Sequence, residues 1–267
     1  MSAFPGYAVV DGFIDADRAD QILRSIQAYA SLNAPPLVER ESGRRPLQYR
    51  VIDGLAIRDH LPRLEALSRE VNGFVNELTG APLAPMQNPQ AQLNVNITPP
   101  GGSYRWHYDR NAVTALLYLN GVDGGRTELC PNYRVGRGRT SVARLADRVL
   151  GTPVIMRVAG RKVSIEPVPG RLLVMNGQRS LHSVTAVRGG ADRVNVVMSF
   201  DDDEVAARPG DELDTYLYSS QPVSAAIALC CSSSPTANVL RRGEHADEAT
   251  RQSRRNRRTI VFTNPTD

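Results

Sequence analysis

Four histidines are spread over 267 residues, and their surroundings differ sharply in the chemistry they can support. His107 and Asp109 flank Tyr108 in "YRWHYD", immediately ahead of the apolar run "AVTALLYLN". Along a strand, residues i and i+2 share a face, so this spacing presents an imidazole and a carboxylate side by side and directs Tyr108 the other way. A second imidazole would complete a set of two histidines and one carboxylate. Such a set leaves three adjacent octahedral positions open and suits non-haem Fe(II) that activates O2. His60 precedes a helical pattern and His245 lies in a polar tail. His182, in "SLHSVTAV" and 73 residues after Asp109, is the one remaining histidine with a strand-like context.

An H-x-D pair is common in proteins, and a lone strand histidine is more often a packing residue than a ligand. The combination gains weight from Arg193, eleven residues beyond His182 at the start of "RVNVVMSF". Arginine offers a permanently charged planar fork that binds a carboxylate with two hydrogen bonds. Next to a metal site it suits the far carboxylate of a dicarboxylate whose 2-oxo acid end chelates the ion. Alone, Arg193 would read as a surface ion-pair residue.

Taken in order, these segments resemble the 2-oxoglutarate/Fe(II)-dependent oxygenases, particularly their prolyl 4-hydroxylase-like branch. The resemblance extends from Tyr7 to Asp201 and is best from Leu93 to Phe200. It rests on His107-Tyr108-Asp109, then Tyr118-Leu119-Asn120, then Gly124-Gly125-Arg126-Thr127-Glu128-Leu129, then His182-Ser183-Val184, then Arg193. The resemblance implies that His107, Asp109 and His182 are iron ligands and Arg193 the 2-oxoglutarate anchor. It also implies that the hydroxyl of Tyr118 helps bind the same carboxylate. Arg188 lies near Arg193 in sequence; Arg193 is preferred because it opens a strand. Many members carry a tyrosine nine or ten residues before the first ligand, where Ile97 and Thr98 stand here. Asn94, Asn96 and Thr98 are expected to line the pocket instead. Related halogenases lack the carboxylate ligand, so Asp109 implies hydroxylation or another oxidation.

The elements that must position these residues follow from periodicity. "YAVVDGFID" reads as a strand and turn. Asp15 caps a helix over "ADRADQILRSIQAYASL", with Ala19, Ile22, Leu23, Ile26 and Ala30 at helical spacing and "NAPP" as its stop. The polar stretch from Glu39 to Arg50 is expected as a loop, with residues 39–50 beside the pocket. A second helix runs through "LPRLEALSREVNGFVNELTG", with Pro62 near its start and Gly80 as its stop. From "AQLNVNI" onward the period becomes two, and strands are expected at "YRWHYD", "AVTALLYLN", "RTELC", "TPVIMRV", "KVSIEPV", "RLLVMN", "LHSVTAV" and "RVNVVMSF". Two leading helices followed by many short strands give an α+β protein built on a sandwich or jelly roll. The resemblance sharpens this to a double-stranded β-helix, a distorted jelly roll, with supporting N-terminal helices. A single oxygenase domain is expected over 1–205, with helical support in 1–90 and the jelly-roll core in 91–205. Residues 206–267 form a C-terminal extension outside that core, where "VSAAIALCC" is expected to add at most one short element.

Composition bounds the remaining functions. No apolar run approaches the length of a membrane span, and the N-terminus shows no export signal, so a soluble cytoplasmic protein is expected. Cys130, Cys230 and Cys231 form no C-x-x-C pair, which argues against a sulfur-rich zinc site and a disulfide framework. Lys162 is the only lysine, so the net charge of +4 reflects an arginine-rich composition. Seven arginines (241, 242, 251, 254, 255, 257 and 258) cluster in the tail without interleaved aromatics, and a solvated tail is favoured over nucleic-acid binding.

The cofactors implied by the resemblance are Fe(II), 2-oxoglutarate and O2, with ascorbate as a supporting reductant. The reaction expected is hydroxylation of an unactivated C–H of a small molecule, such as an amino acid or specialised metabolite, with release of succinate and CO2. Arg105, Trp106, Arg110, Arg126, Arg134, Arg137, Arg139 and Arg144 include candidates for meeting an anionic substrate. A peptidyl (prolyl-type) hydroxylase and a non-catalytic, ligand-binding jelly-roll module are the competing readings. The oligomeric state is open.

Overall fold

The computed structural model of the chain describes residues 4–40, 47–134, 162–202 and 259–261. Its first strand, β1 (Tyr7–Asp11), leads into α1 (Ala16–Asn33). The Asp15 side chain accepts a hydrogen bond from the Arg18 amide at 2.7 Å, as the sequence predicts for an N-cap. The helix ends at Ala34 in a left-handed conformation. A β2–β3 hairpin (Leu37–Arg40, Leu47–Ile52) follows, then α2 (Gly54–His60) and α3 (Pro62–Thr79).

The hairpin corrects the expectation of a loop over Glu39–Arg50. Leu47, Tyr49 and Val51 alternate inward, a period-two signal hidden among charged neighbours. The short helix α2, capped by Asp53, is likewise absent from the sequence reading. Residues 41–46 lie outside the described ones, as does the expected strand at "TPVIMRV".

The remaining strands build two antiparallel sheets. They are β4 (Leu83–Pro85), β5 (Leu93–Thr98), β6 (Tyr104–His107), β7 (Val113–Tyr118), β8 (Asp123–Gly124), β9 (Thr127–Cys130), β10 (Val163–Ile165), β11 (Leu172–Asn176), β12 (Leu181–Val184), β13 (Val187–Arg188), β14 (Arg193–Asp202) and β15 (Thr259–Val261). Among the described residues the major sheet runs β15-β1-β11-β7-β14-β5-β3-β2, with β4 also paired to β14, and the minor sheet runs β10-β9-β12-β6. Neighbours in these sheets are far apart in sequence, as a jelly roll requires. β8 and β13 form a separate two-stranded pair.

Alternation along the major sheet separates packing from chemistry. Val113, Ala115 and Leu117 of β7, Val194, Val196 and Met198 of β14, and Val95 and Ile97 of β5 share one apolar core with Ile22 and Ile26 of α1 and Leu64, Leu67, Val71 and Val75 of α3. Each such side chain contributes about 1.5–3 kcal/mol when fully buried. The opposite face carries Thr114, Leu116 and Tyr118 on β7, Arg193, Asn195, Val197 and Ser199 on β14, and Asn94, Asn96 and Thr98 on β5. This set meets the minor sheet, where Leu116, Tyr118, Leu129, Ile165, Leu173 and Met175 form a second core. The sequence "LNVNIT" thus turns its apolar residues to the helices and its amides and hydroxyl to the space between the sheets.

Among the described residues the C-terminal extension contributes one strand to the sheet. β15 pairs with β1 in the register Val9↔Val261, Val10↔Ile260 and Asp11↔Thr259. A polar, arginine-rich composition gives no hint of this strand. The segments "DEVAARPGDELD" and "VSAAIALCC" and the seven tail arginines lie outside the described residues. Among the described residues no helix is long and apolar enough to cross a membrane.

Candidate metal centre

His107 closes β6 and His182 lies on β12, and the two are register partners across the minor sheet. Their rings stand 4.1 Å apart between centroids. Asp109 lies two residues past the end of β6, where its amide donates to the Gly177 carbonyl at 3.1 Å. The H-x-D spacing therefore works through a strand end and a turn, not through one continuous strand. The carboxylate oxygen Oδ1 of Asp109 sits 3.4 Å from His107 Nε2 and 3.5 Å from His182 Nε2. The three candidate ligand atoms lie within 4.8 Å of one another.

The far side of each imidazole is fixed by backbone. His107 Nδ1 lies 2.9 Å from the Arg105 carbonyl and His182 Nδ1 lies 3.0 Å from the Ser180 carbonyl. A carbonyl only accepts, so each Nδ1 carries a proton and each neutral ring turns its Nε2 lone pair to the shared centre. Burial alone would raise the Asp109 carboxyl, but the two histidines outweigh it and hold the group well below the usual carboxylate range. Burial would lower His182; Asp109 outweighs it and raises the imidazole. Burial and the charge of His182 lower His107. The carboxylate and the two Nε2 atoms thus converge on one point as three metal-ligating donors. Two imidazole nitrogens and one carboxylate oxygen suit a divalent first-row metal such as Fe(II).

The same cavity, about 210 Å³ in volume, is lined by Asn94, Asn96, Thr98, Tyr104, His107, Asp109, Thr127, His182, Arg193 and Asn195, among others. Arg193 opens β14 and is buried, at 3% exposure. Its Nη1 donates to Asn195 Oδ1 at 2.5 Å and its Nη2 to Thr127 Oγ1 at 3.2 Å. Nε has no partner, and no carboxylate pairs with the guanidinium among the described residues. Burial lowers this arginine from its ordinary value. A buried cation is costly to a fold unless an anion meets it. Arg188, the other arginine considered, is exposed on β13 and does not line the cavity.

Tyr118 is fully buried behind Arg193, with the guanidinium carbon 5.2 Å from its ring centroid. Its hydroxyl donates to Thr127 Oγ1 at 2.7 Å, and Tyr118 is absent from the cavity wall. Thr127 takes the wall position and went unnoticed in the sequence, although it occupies a variable place in the Gly-Gly motif. That motif has a steric reason: a Cβ on Gly125, which has φ +55°, would lie 2.8 Å from Arg193 Cδ.

Asn94, Asn96 and Thr98 line the cavity as expected. Of the candidate substrate arginines, Arg105 and Arg110 reach it. Arg126 instead pairs with Glu166 at 2.6 Å, and Arg134 stacks over Tyr108 at 4.2 Å. Tyr108 packs with Trp106 against Cys130 and Leu181, on the side away from His107, and also reaches the cavity rim. Arg137, Arg139 and Arg144 lie outside the described residues. Tyr49, on the hairpin read as a loop, joins the wall beside Tyr104, with ring centroids 5.4 Å apart.

Residues 91–200 match the profile of the 2OG-Fe(II) oxygenase superfamily. Over this segment the chain is similar to the 2OG-Fe(II) oxygenases. His107, Asp109, His182, Tyr118 and Arg193 all fall within the matched segment. No curated protein matches the chain in sequence. The non-heme alpha ketoglutarate dependent epimerase SnoN from nogalamycin biosynthesis shares the fold with a TM-score of 0.58 and 19% identity, over 74% of this chain and 79% of that one. A prolyl hydroxylase from Trichoplax adhaerens, in complex with a peptide fragment of hypoxia inducible factor, gives a TM-score of 0.54 and 18% identity, over 77% and 88%. HygX from Streptomyces hygroscopicus, with nickel and 2-oxoglutarate bound, gives 0.53 and 12%, over 75% and 84%. The fold is of the jelly-roll type that these structures share, and the donor set of His107, Asp109 and His182 fits a divalent metal.

Proposed function

We propose that the oxygenase hydroxylates an unactivated C–H bond of a small molecule, with His107, Asp109 and His182 holding Fe(II) and Arg193 anchoring the far carboxylate of 2-oxoglutarate. The observation that carries this reading is the buried Arg193 fork, which faces the same cavity as the triad and lacks a carboxylate partner among the described residues. Iron with its co-substrate would supply the oxidising chemistry: one oxygen atom of O2 goes into succinate, released with CO2, and the other into the C–H bond of the substrate. The protein supplies the rest. Backbone carbonyls of Arg105 and Ser180 orient the imidazoles. Thr127 and Asn195 fix the guanidinium.

The catalytic unit in this reading is residues 1–205, to whose major sheet the extension adds β15 beside β1. Support for a small substrate comes from the cavity of about 210 Å³ and its lining of amides, hydroxyls and the Tyr49–Tyr104 wall. The shared fold with SnoN, from nogalamycin biosynthesis, is in line with that class. A peptide substrate is the second reading, because the same fold serves a prolyl hydroxylase crystallised with a peptide. Incubation under 18O2 with separate pools of small metabolites and proline-containing peptides distinguishes them. Label is expected in a small-molecule product; label only in peptide would replace the first reading with the second, and none in either pool would remove both.

A further inference from the structure

Asp109 does not enter the centre freely. Its second oxygen, Oδ2, accepts a hydrogen bond from the Thr114 hydroxyl at 2.5 Å. Thr114 is on the inward face of β7, buried at 2% exposure, and its χ1 is restricted by β-branching. Asn111, also buried, donates from Nδ2 to Thr114 Oγ1 at 2.8 Å and to the Val113 carbonyl at 2.7 Å. The direction of this chain is determined. A carbonyl accepts only, so the amide nitrogen of Asn111 must face Val113, and its other N–H then points at Thr114. With a lone pair so engaged, the single hydroxyl proton of Thr114 goes to Asp109.

We propose that Asn111 and Thr114 form a one-way relay that holds Asp109 as a one-oxygen ligand, with Oδ1 turned to the two imidazoles and Oδ2 withheld. The inference rests on the metal site proposed above and names two positioning residues for it. Its consequence is stoichiometric. A carboxylate bound through both oxygens would occupy an additional coordination position; bound through one, it leaves three positions for a two-point co-substrate and O2. The turn from His107 to Val113 is packed for this purpose. A Cβ on Gly177 would lie 2.6 Å from the Asn111 carbonyl, 2.8 Å from Thr114 Oγ1 and 3.0 Å from Asp109 Cβ, so the relay closes only over a glycine.

The test is anaerobic titration with Co(II), whose visible d–d absorption reports coordination number, on the full chain and three variants. Thr114→Val keeps the shape and removes the donor. It is expected to weaken Co(II) binding by about ten- to a hundredfold, the range for a lost outer-shell partner, and to alter the d–d spectrum. Thr114→Ser restores the donor and is expected to restore both affinity and spectrum, which a purely structural role for the threonine methyl would not allow. Asn111→Ala leaves Thr114 intact but frees its proton, and a smaller loss in the same direction is expected; it decides the matter should Thr114→Val fail to fold. Wild-type affinity and spectrum in folded Thr114→Val or Asn111→Ala would overturn the relay while leaving the metal site intact. Absence of Co(II) binding in the unaltered chain would overturn the metal site itself.

Discussion

Arg193 and Tyr118 meet on one acceptor: the guanidinium Nη2 at 3.2 Å and the phenol hydroxyl at 2.7 Å both donate to Thr127 Oγ1. Having accepted twice, the Thr127 hydroxyl is left to donate into the cavity that it lines. Tyr118 therefore supports Arg193 from behind, while Arg193 and Thr127 line the cavity.

Removing the anchor separates stability from function. Arg193→Met is expected to weaken 2-oxoglutarate binding by about 3 kcal/mol or more, roughly a hundredfold, since hydrogen bonds to charged groups contribute about 1.5–3 kcal/mol each. The same variant should melt at or above the wild-type temperature without ligand, because it deletes a buried cation that has no carboxylate partner among the described residues. Calorimetric titration and thermal melts check both halves; unchanged affinity would reassign the arginine to structure.

Tyr118→Phe has a smaller expected effect. One neutral hydrogen bond contributes about 0.5–1.5 kcal/mol, so co-substrate affinity should fall by roughly two- to tenfold. A loss as large as that of Arg193→Met in the same titration would show that the phenol touches the ligand directly.

Gly177→Ala is expected to destabilise the chain by about 1–3 kcal/mol, the usual cost of overpacking, because its Cβ would press on Asn111, Thr114 and Asp109 together. Denaturant melts measure the loss, and metal titration of the same variant should show weakened binding. A variant as stable as wild type would mean that the turn relaxes around the methyl.

Asp201 gives a pH signature remote from the centre. Burial, with some help from Asp202, raises its carboxyl above the ordinary value, although the Ala112 amide donates to it at 2.7 Å. An acid raised on folding binds its proton more tightly in the folded state, so it costs stability as pH rises through the shifted value. Asp201→Asn keeps an acceptor for Ala112 without the charge. It should raise the melting temperature near neutral pH, and the gain should vanish once the pH falls below the carboxyl's unfolded value. An equal gain at both ends of the range would assign the effect to packing.

Cys130 is buried and its thiol is pushed up to about 11, chiefly by burial. In the native protein at pH 8 it should resist iodoacetamide and become labelled only on denaturation. Peptide mapping settles this, and rapid native labelling would mean that the packing of Trp106, Tyr108 and Leu181 around it opens readily.

Much of this was legible in the sequence because alternation and chemistry coincide on the central strands. "RVNVVMSF" alternates apolar residues for the helices with Arg193 and Asn195 for the cavity, and α1 and α3 announce themselves by caps and spacing. The β2–β3 hairpin was hidden because Glu39, Arg40, Gln48 and Arg50 dominate its composition while Leu47, Tyr49 and Val51 carry its pattern. Thr127, Thr114 and Asn111 were missed for a different reason. Their roles are set by who donates to whom across strands, and neither residue type nor spacing encodes that direction. The strand β15 was hidden by the polar extension around it.

The most direct test of the central claim is iron-dependent conversion of 2-oxoglutarate to succinate, measured for the unaltered chain beside His182→Ala and Arg193→Met. The account predicts succinate from the unaltered chain with added Fe(II), none above background from His182→Ala, and formation in Arg193→Met only at far higher 2-oxoglutarate. Succinate formed equally by all three proteins would contradict it.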